Sequence, residues 1–358
     1  MIKIILYPLS FLYYILVSVH RLCYQLKLFS TAKFNAQIIS IGNIEVGGTG
    51  KTPMTIYLST ILTQNNISHV LVSRGYKRSS SGTVIVSDGK RLLVSSVKDS
   101  GDEPLLLAHK LPSIPIVVGN NKRRAINIAI QTFQPKVIIL DDAFQSHYIH
   151  KNIDVVLFNC LHSKKQFHLL PAGLLRAPIS SLSRASLVVF TKQNLLQPQT
   201  LLGPTKQILE FLKNKNIPYL FSNYQSFYHE YDFNTKKLKA SPLVDKNDLP
   251  ALAFCGIGDP KSFKVVCKKF FIAIITTRVF ADHYHYKFFV NELNSLYHEH
   301  SFSAIVTTYK DFIKLSTGDS KILSWLQEKN IRVFIVEIEV FIEGKNNKLS
   351  QLIKTLAL

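Results

Sequence analysis

From Gln37 onward, short apolar runs alternate with stretches of helical periodicity along most of the chain. QIISIG at 37–42 predicts a strand, KTPMTIYLSTILTQNN at 51–66 the helix behind it, and HVLVSRG at 69–75 the next strand. TVIV-SDGK-RLLVS at 83–95 reads as a hairpin turned at Asp88-Gly89. A helix at 103–110, a strand at 114–119, a helix at 123–132 and the strand KVIILDD at 136–142 follow, and IDVVLF at 153–158 and LVVFTK at 187–192 complete the sheet. Strands that alternate with helices in this way predict a parallel α/β sheet with crossover connections.

Beyond Lys192 these signals thin, and 216–250 is richer in Asn, Lys, Tyr and Asp, which places a domain junction there. The strand theme returns at 250–258, 272–280, 303–311 and 332–340, so a second α/β domain is expected. The predicted division is an amino-terminal segment at 1–29, a first domain at 30–214 and a smaller second domain at 215–358. Residues 330–358 carry no assigned chemistry.

The amino-terminal segment differs from the rest. Ile4 to Val19 has no charged residue, His20, Arg21, Lys27 and Lys33 follow it, and no acidic residue precedes Glu45. This run falls short of the roughly 20 residues a membrane span needs, and Pro8 interrupts its first turns. The phenols of Tyr7, Tyr13 and Tyr14 and the flanking cations suit a helix lying in, or dipping into, a membrane interface. A signal peptide is a rival reading, since Lys3 precedes the run and Ser30-Thr31-Ala32 is small. An ordinary buried first helix is a third.

Composition sharpens the picture at two points. The chain has 358 residues, 47% apolar and 18% charged, as a folding chain should. Its formal net charge of +20 attracts polyanions: nucleic acid, an anionic membrane or a phosphate-bearing substrate. Cys23, Cys160, Cys255 and Cys267 form no C-x-x-C pair, and the His283/His285 and His298/His300 pairs lack a third ligand, which argues against a disulfide framework or structural metal.

The sharpest chemical signal is ISIGNIEVGGTGKTP at 39–53, a strand, a glycine-rich turn and Lys-Thr opening a helix. Gly47, Gly48, Thr49 and Gly50 form a turn whose backbone N–H groups can close around phosphate oxygens. Lys51 would reach the β- and γ-phosphates, and the Thr52 hydroxyl a Mg²⁺ ion. Glu45 stands where the first glycine of G-x-x-x-x-G-K-T belongs. A phosphate loop needs an acidic partner for the metal, and Asp141-Asp142 at the carboxyl end of a buried strand provides two carboxylates.

VGGTGKTP, SRGY (73–76), GDEPLLLA (101–108), ILDDAFQ (139–145), LLPAGLLRAP (169–178), GIGDP (256–260), ADHYHY (281–286) and VTTYKD (306–311) occur in one order. In these blocks the chain resembles the tetraacyldisaccharide 4'-kinase family from about Gln37 to Lys314. The resemblance implies two α/β/α domains joined by a two-stranded linker, a membrane-associated amino-terminal helix, and a site in the cleft between the domains. It implies ATP- and Mg²⁺-dependent phosphorylation of a lipid A disaccharide 1-phosphate precursor at the cytoplasmic face of the bacterial inner membrane, with lipid IVA as the product.

Carried over by position, Asp141, Asp142 and Thr52 match the family's metal site, Asp102 its catalytic base and His283 the partner of that base. Arg74, Tyr76, Arg123, Gln145 and Arg176 match polar positions around its substrate. Asp102-Glu103-Pro104 also reads as a helix start. Ala143 and Ser146 depart from the family's usual glycine and histidine, which draws attention to the turn after the metal strand.

Under this resemblance the positive charge faces anionic membrane lipids, ATP and the substrate's phosphate, and nucleic acid is not an expected partner. A membrane-associated switch ATPase of the partitioning type shares the GGTGKT loop, but has no use for GDEP or DHYHY. A nucleic-acid-stimulated ATPase lacks any recognition motif to support it.

Overall fold

A computed structural model describes residues 2–195, 201, 203–240, 248–271, 273–286, 289–317, 320–344 and 348–355. The helices are α1 (Ile2–Gln25), α2 (Lys51–Gln64), α3 (Val97–Ser100), α4 (Asp102–Lys110), α5 (Lys122–Phe133), α6 (Gly203–Asn214), α7 (Pro260–Phe270), α8 (Phe289–His300), α9 (Tyr309–Thr317), α10 (Ser320–Glu328) and α11 (Lys348–Lys354). The strands are β1 (Gln37–Asn43), β2 (His69–Ser73), β3 (Thr83–Asp88), β4 (Pro115–Gly119), β5 (Val137–Asp141), β6 (Ile153–Asn159), β7 (Leu187–Thr191), β8 (Tyr219–Phe221), β9 (Asn223–Asp232), β10 (Lys237–Ala240), β11 (Ala251–Cys255), β12 (Ile274–Val279), β13 (Ala304–Thr308) and β14 (Arg332–Phe341).

Eight strands form the first sheet in the order β3-β4-β2-β5-β1-β6-β7-β8. All its pairings are parallel except β3 with β4. The apolar runs of β1, β2, β5, β6 and β7 are buried on both faces, as a sheet covered by helices requires. Met54, Leu58 and Leu62 of α2 pack on one face, and Ala125, Ile126 and Ala129 of α5 belong to a separate core with Val72, Val117 and Leu140.

The second sheet has six strands in the order β10-β9-β14-β13-β11-β12. Its β14-β13-β11-β12 part is parallel, while β9 pairs antiparallel with both β14 and β10. The β9–β14 ribbon extends into the first unit, where Tyr224 and Val340 join its core. Leu349 and Ile353 of α11 lie in that same core. β8 falls after the junction expected at 214, yet it pairs with β7 in the first sheet.

One expected element is smaller than its sequence suggests. The Asp88-Gly89 turn forms, with Asp88 Oδ1 accepting from Lys90 N and Arg91 N at 2.7 and 2.6 Å. The second arm is reduced to one bridge, Ser87 with Leu92, beside which Leu93 N and Val94 N donate to Val86 O at 2.8 and 3.2 Å, while β4 pairs with β3 in the sheet. Ile272, at the start of the expected strand at 272–280, lies outside the described residues.

Helix α1 passes through Pro8 without breaking, and its stretch Leu6–Gln25 is long and apolar enough to cross a membrane by length and composition. It lies along the first unit. Ser10 Oγ donates to Leu169 O at 3.0 Å and accepts from Ala172 N at 3.0 Å, and the Tyr24 ring stacks on His147 with centroids 5.6 Å apart. Leu9, Phe11, Leu12, Leu16 and Val19 remain exposed. A helix pinned along one side and apolar on the other has the shape of an interfacial element.

Candidate active site

The chain leaves β1 at Asn43 and turns through 44–50 before Lys51 opens α2. Gly47 and Gly50 have φ of 114° and 90°, a backbone region glycine occupies without strain. A Cβ on Gly50 would stand 1.7 Å from the Tyr224 hydroxyl, so close approach also demands glycine there. The N-cap residue, Gly50, has no side chain to cap α2, which leaves the amino terminus suited to an anion.

The loop is braced from behind. Asn43 Nδ2 donates to Thr49 Oγ1 at 2.8 Å, Thr191 Oγ1 to Thr49 O at 2.9 Å, and Lys192 Nζ to Gly48 O at 2.7 Å. Glu45 is fully buried; its Oε1 accepts from Asn159 N at 2.9 Å, and its Oε2 lies 2.6 Å from His162 Nδ1. The residue that departs from the loop consensus therefore fastens the loop to the end of β6.

β5 runs beside β1 with Asp141 opposite Ile41, so Asp141 and Asp142 emerge at the sheet edge next to the loop. Ser73 Oγ donates to Asp141 Oδ2 at 3.2 Å, and Arg176 Nη1 to Asp142 Oδ2 at 3.2 Å. Lys51 Nζ stands 4.0 Å from Asp142 Oδ1, a buried oxygen that accepts no hydrogen bond from the described residues. Burial, with Glu103 and Asp142 nearby, pushes the Asp141 carboxyl up to about 6. Burial also raises Asp142, but Lys51, Arg176 and Lys122 outweigh it and hold that carboxyl below its ordinary value. Beneath them the buried Lys122 donates to Asp141 O at 3.0 Å and Asp142 O at 2.6 Å, and burial brings its ammonium down to about 8.

The turn after Asp142 explains why Ala143 fits. Asp142 itself takes the left-handed conformation at φ 45°, and Ala143 is buried in the α5-side core where a methyl group has partners. Ser146 N donates to Ala143 O at 2.9 Å and closes the turn.

Asp102 opens α4, and His283 arrives from the β12–α8 connection of the other sheet at φ 66°. His283 Nδ1 lies 2.9 and 2.8 Å from the two Asp102 oxygens. The Tyr76 ring packs on His283, centroids 5.0 Å apart. Two ammonium groups from α9 complete the cluster, Lys310 Nζ at 3.4 Å and Lys314 Nζ at 3.3 Å from Asp102 Oδ2. Burial would raise Asp102, but the His283 hydrogen bond and the two lysine charges outweigh it and hold the carboxyl well below the usual range. Lys310 is also 3.5 Å from Glu103 and 3.2 Å from Asp282; against the effect of burial, Glu103, Asp102 and Asp282 raise its ammonium.

A cavity of about 210 Å³ separates the units, with Thr52 and Ile56 of α2 on one wall and Phe263, Val266, Tyr309 and Lys310 on the other. Arg74 and Tyr76 are exposed beyond the end of β2. Gln145 Nε2 donates to Asn43 O at 2.7 Å, while Arg176 donates through Nε to Glu45 O at 3.0 Å and through Nη2 to Asn43 Oδ1 at 2.8 Å. Arg123 is turned elsewhere: its guanidinium donates to Tyr148 O and Ser30 O, tying α5 to the segment that follows α1. The structure thus groups Lys51, Asp141, Asp142, Gln145 and Arg176 at the loop, and Tyr76, Asp102 and His283 at the interdomain edge.

The chain as a whole is similar to known proteins. A family model described as tetraacyldisaccharide-1-P 4'-kinase matches residues 2–357. The chain belongs to the tetraacyldisaccharide 4'-kinase family. A relative of that name from Halothermothrix orenii is 31% identical over 353 residues, covering 96% of this chain and 90% of its own. Another from Aquifex aeolicus is 32% identical over 88% of this chain and 90% of its own. The crystal structure of LpxK from Aquifex aeolicus in complex with ATP is 30% identical, covers 99% of both chains and superimposes with a TM-score of 0.74.

Within this 4'-kinase fold, sequence reasoning missed Lys122, Lys192, Lys310 and Lys314. Lys310 lies in VTTYKD directly after β13, at the sheet edge where ligands gather, so its location was readable. Its contact with Asp102 was not, because 208 positions of chain separate the two.

Proposed function

We propose that the protein transfers the γ-phosphate of ATP to the 4'-hydroxyl of a tetraacyldisaccharide 1-phosphate, giving lipid IVA, with Asp102 receiving the hydroxyl proton. The observation that carries this reading is the Asp102–His283 pair, formed across the two units in a member of this kinase family. A switch ATPase would leave that pair without a use.

In this reading Gly47, Gly48, Thr49, Gly50 and Lys51 hold the triphosphate, whose charge suits the uncapped start of α2. Asp141, Asp142 and Thr52 would hold Mg²⁺. They fit a hard cation, because their donors are oxygens and one, Asp142 Oδ1, is buried without a hydrogen bond. When bound, the ion neutralises charge on the phosphates. His283 orients the Asp102 carboxylate through Nδ1. Asp102 takes the alcohol proton as the new oxygen–phosphorus bond forms, since an alcohol is a poor nucleophile at neutral pH.

Arg74, Tyr76, Gln145 and Arg176 border the acceptor. Arginine suits its phosphate through paired, charge-assisted bonds. Arg123 serves as a bolt between α5 and the chain after α1. The apolar face of α1 lies in the cytoplasmic leaflet of the bacterial inner membrane, and the +20 charge favours its anionic lipids. Purified protein incubated with ATP, Mg²⁺ and tetraacyldisaccharide 1-phosphate in detergent should yield a bis-phosphorylated lipid. Absence of that product rejects the assignment.

A further inference from the structure

The second unit touches the phosphate loop itself. Gly258 and Gly48 meet backbone to backbone: a Cβ on Gly258 would lie 3.1 Å from Gly48 N, and one on Gly48 3.0 Å from Asp259 Cβ. Lys192, at the end of β7 with φ 65° and a side chain only 3% exposed, links the two surfaces. Its ammonium donates to Gly48 O at 2.7 Å and pairs with the Asp259 carboxylate. Asp259 caps α7, accepting from Ser262 N at 3.3 Å and from Ser262 Oγ at 2.6 Å, and Asn159 Nδ2 approaches it at 3.4 Å.

A buried ammonium needs a paired charge, and here that charge comes from the other unit. The Gly48 carbonyl it grips belongs to a planar peptide, so holding the oxygen also sets the orientation of the Thr49 N–H, which donates to Gly47 O at 3.0 Å and so holds the shape of the 47–50 turn. We propose that Lys192 and Asp259 are positioning residues for ATP, which make the second unit part of the phosphate loop's support and tie nucleotide affinity to the docking of the two units. This rests on the reading that 47–52 hold the triphosphate.

Asp259→Asn tests it, because asparagine caps a helix as well as aspartate does, while the charge facing Lys192 is lost. Calorimetry with ATP and Mg²⁺, without lipid, should show affinity falling about 10-fold, the size of an ordinary coupling between sites. The KM for ATP should rise in parallel, with the KM for lipid and the kcat at saturating ATP little changed, while the Tm falls because the buried ammonium loses its paired charge. Lys192→Met should weaken ATP similarly, and the double variant no further than either single one. Should Lys192→Met not fold, Asp259→Asn alone decides.

Unchanged ATP affinity in Asp259→Asn overturns the proposal, as do additive losses in the double variant. Lys51→Ala separates the two levels. If it loses ATP while Asp259→Asn does not, the positioning role alone falls; if it binds ATP normally, the loop reading falls and this inference with it.

Discussion

The phenol of Tyr13 donates to the backbone carbonyl of Arg176 at 2.8 Å, and the guanidinium of that same arginine reaches Asn43, Glu45 and Asp142. One residue thus touches the amino-terminal helix on one side and the phosphate loop on the other. Docking of α1 and the geometry of the proposed nucleotide site share a common part.

Deleting residues 1–29 should move the protein from the membrane to the soluble fraction, and should also lower turnover on lipid presented in detergent. Tyr13→Phe, which removes one hydrogen bond, should cost about 1 kcal/mol of stability and leave fractionation unchanged. Fractionation and thermal melts check both, and membrane association that survives the deletion refutes the anchor.

Asp102→Ala should lower kcat by about 10²–10⁴-fold, the usual contribution of a positioned base, while ATP affinity stays close to wild type. Steady-state kinetics alongside nucleotide binding separate the two. Near-normal turnover would remove Asp102 from the role of base.

Restoring the loop consensus should do harm. Glu45→Gly leaves the buried Asn159 N–H without its acceptor and His162 without its partner, a loss of about 1–3 kcal/mol. Denaturant unfolding measures it. A stability equal to wild type would mean that the carboxylate does not brace the loop.

Much of this site was legible because its parts are local. The phosphate loop, the strand ending at Asp141 and the helix beginning at Asp102 each sit within a dozen residues whose apolar pattern and turn chemistry agree. β9 was not legible. NYQSFYHEYD is polar in composition and only partly buried, so a strand that links the two units reads as a junction. The lysines around Asp102 and the Lys192–Asp259 contact escaped for another reason: they arise from the docking of one unit on the other, which no local pattern encodes.

The aromatic seat of α1 should respond to pH. Burial, with Arg184, Lys151, His20 and Arg21 adding positive charge around it, lowers His147 to about 3, so the folded protein keeps it neutral. An unfolded histidine titrates near 6.5, so between about pH 6.5 and 3 the unfolded chain binds the extra proton and stability falls as pH falls. Tm measured from pH 7.5 to 5 should decline less in His147→Phe than in wild type. Equal declines would exclude His147 as the source.

The one-sided seating of α1 fixes more than attachment. With Ser10 and Tyr13 pinned to the body and Leu9, Phe11, Leu12 and Leu16 facing outward, the membrane seating proposed for α1 would carry the phosphate loop at a set height and tilt above the lipid plane. Search for the acceptor then becomes two-dimensional. Its rate should follow the number of substrate molecules per unit area of bilayer, and diluting the substrate with inert lipid should slow the reaction even when its total concentration in the sample is unchanged.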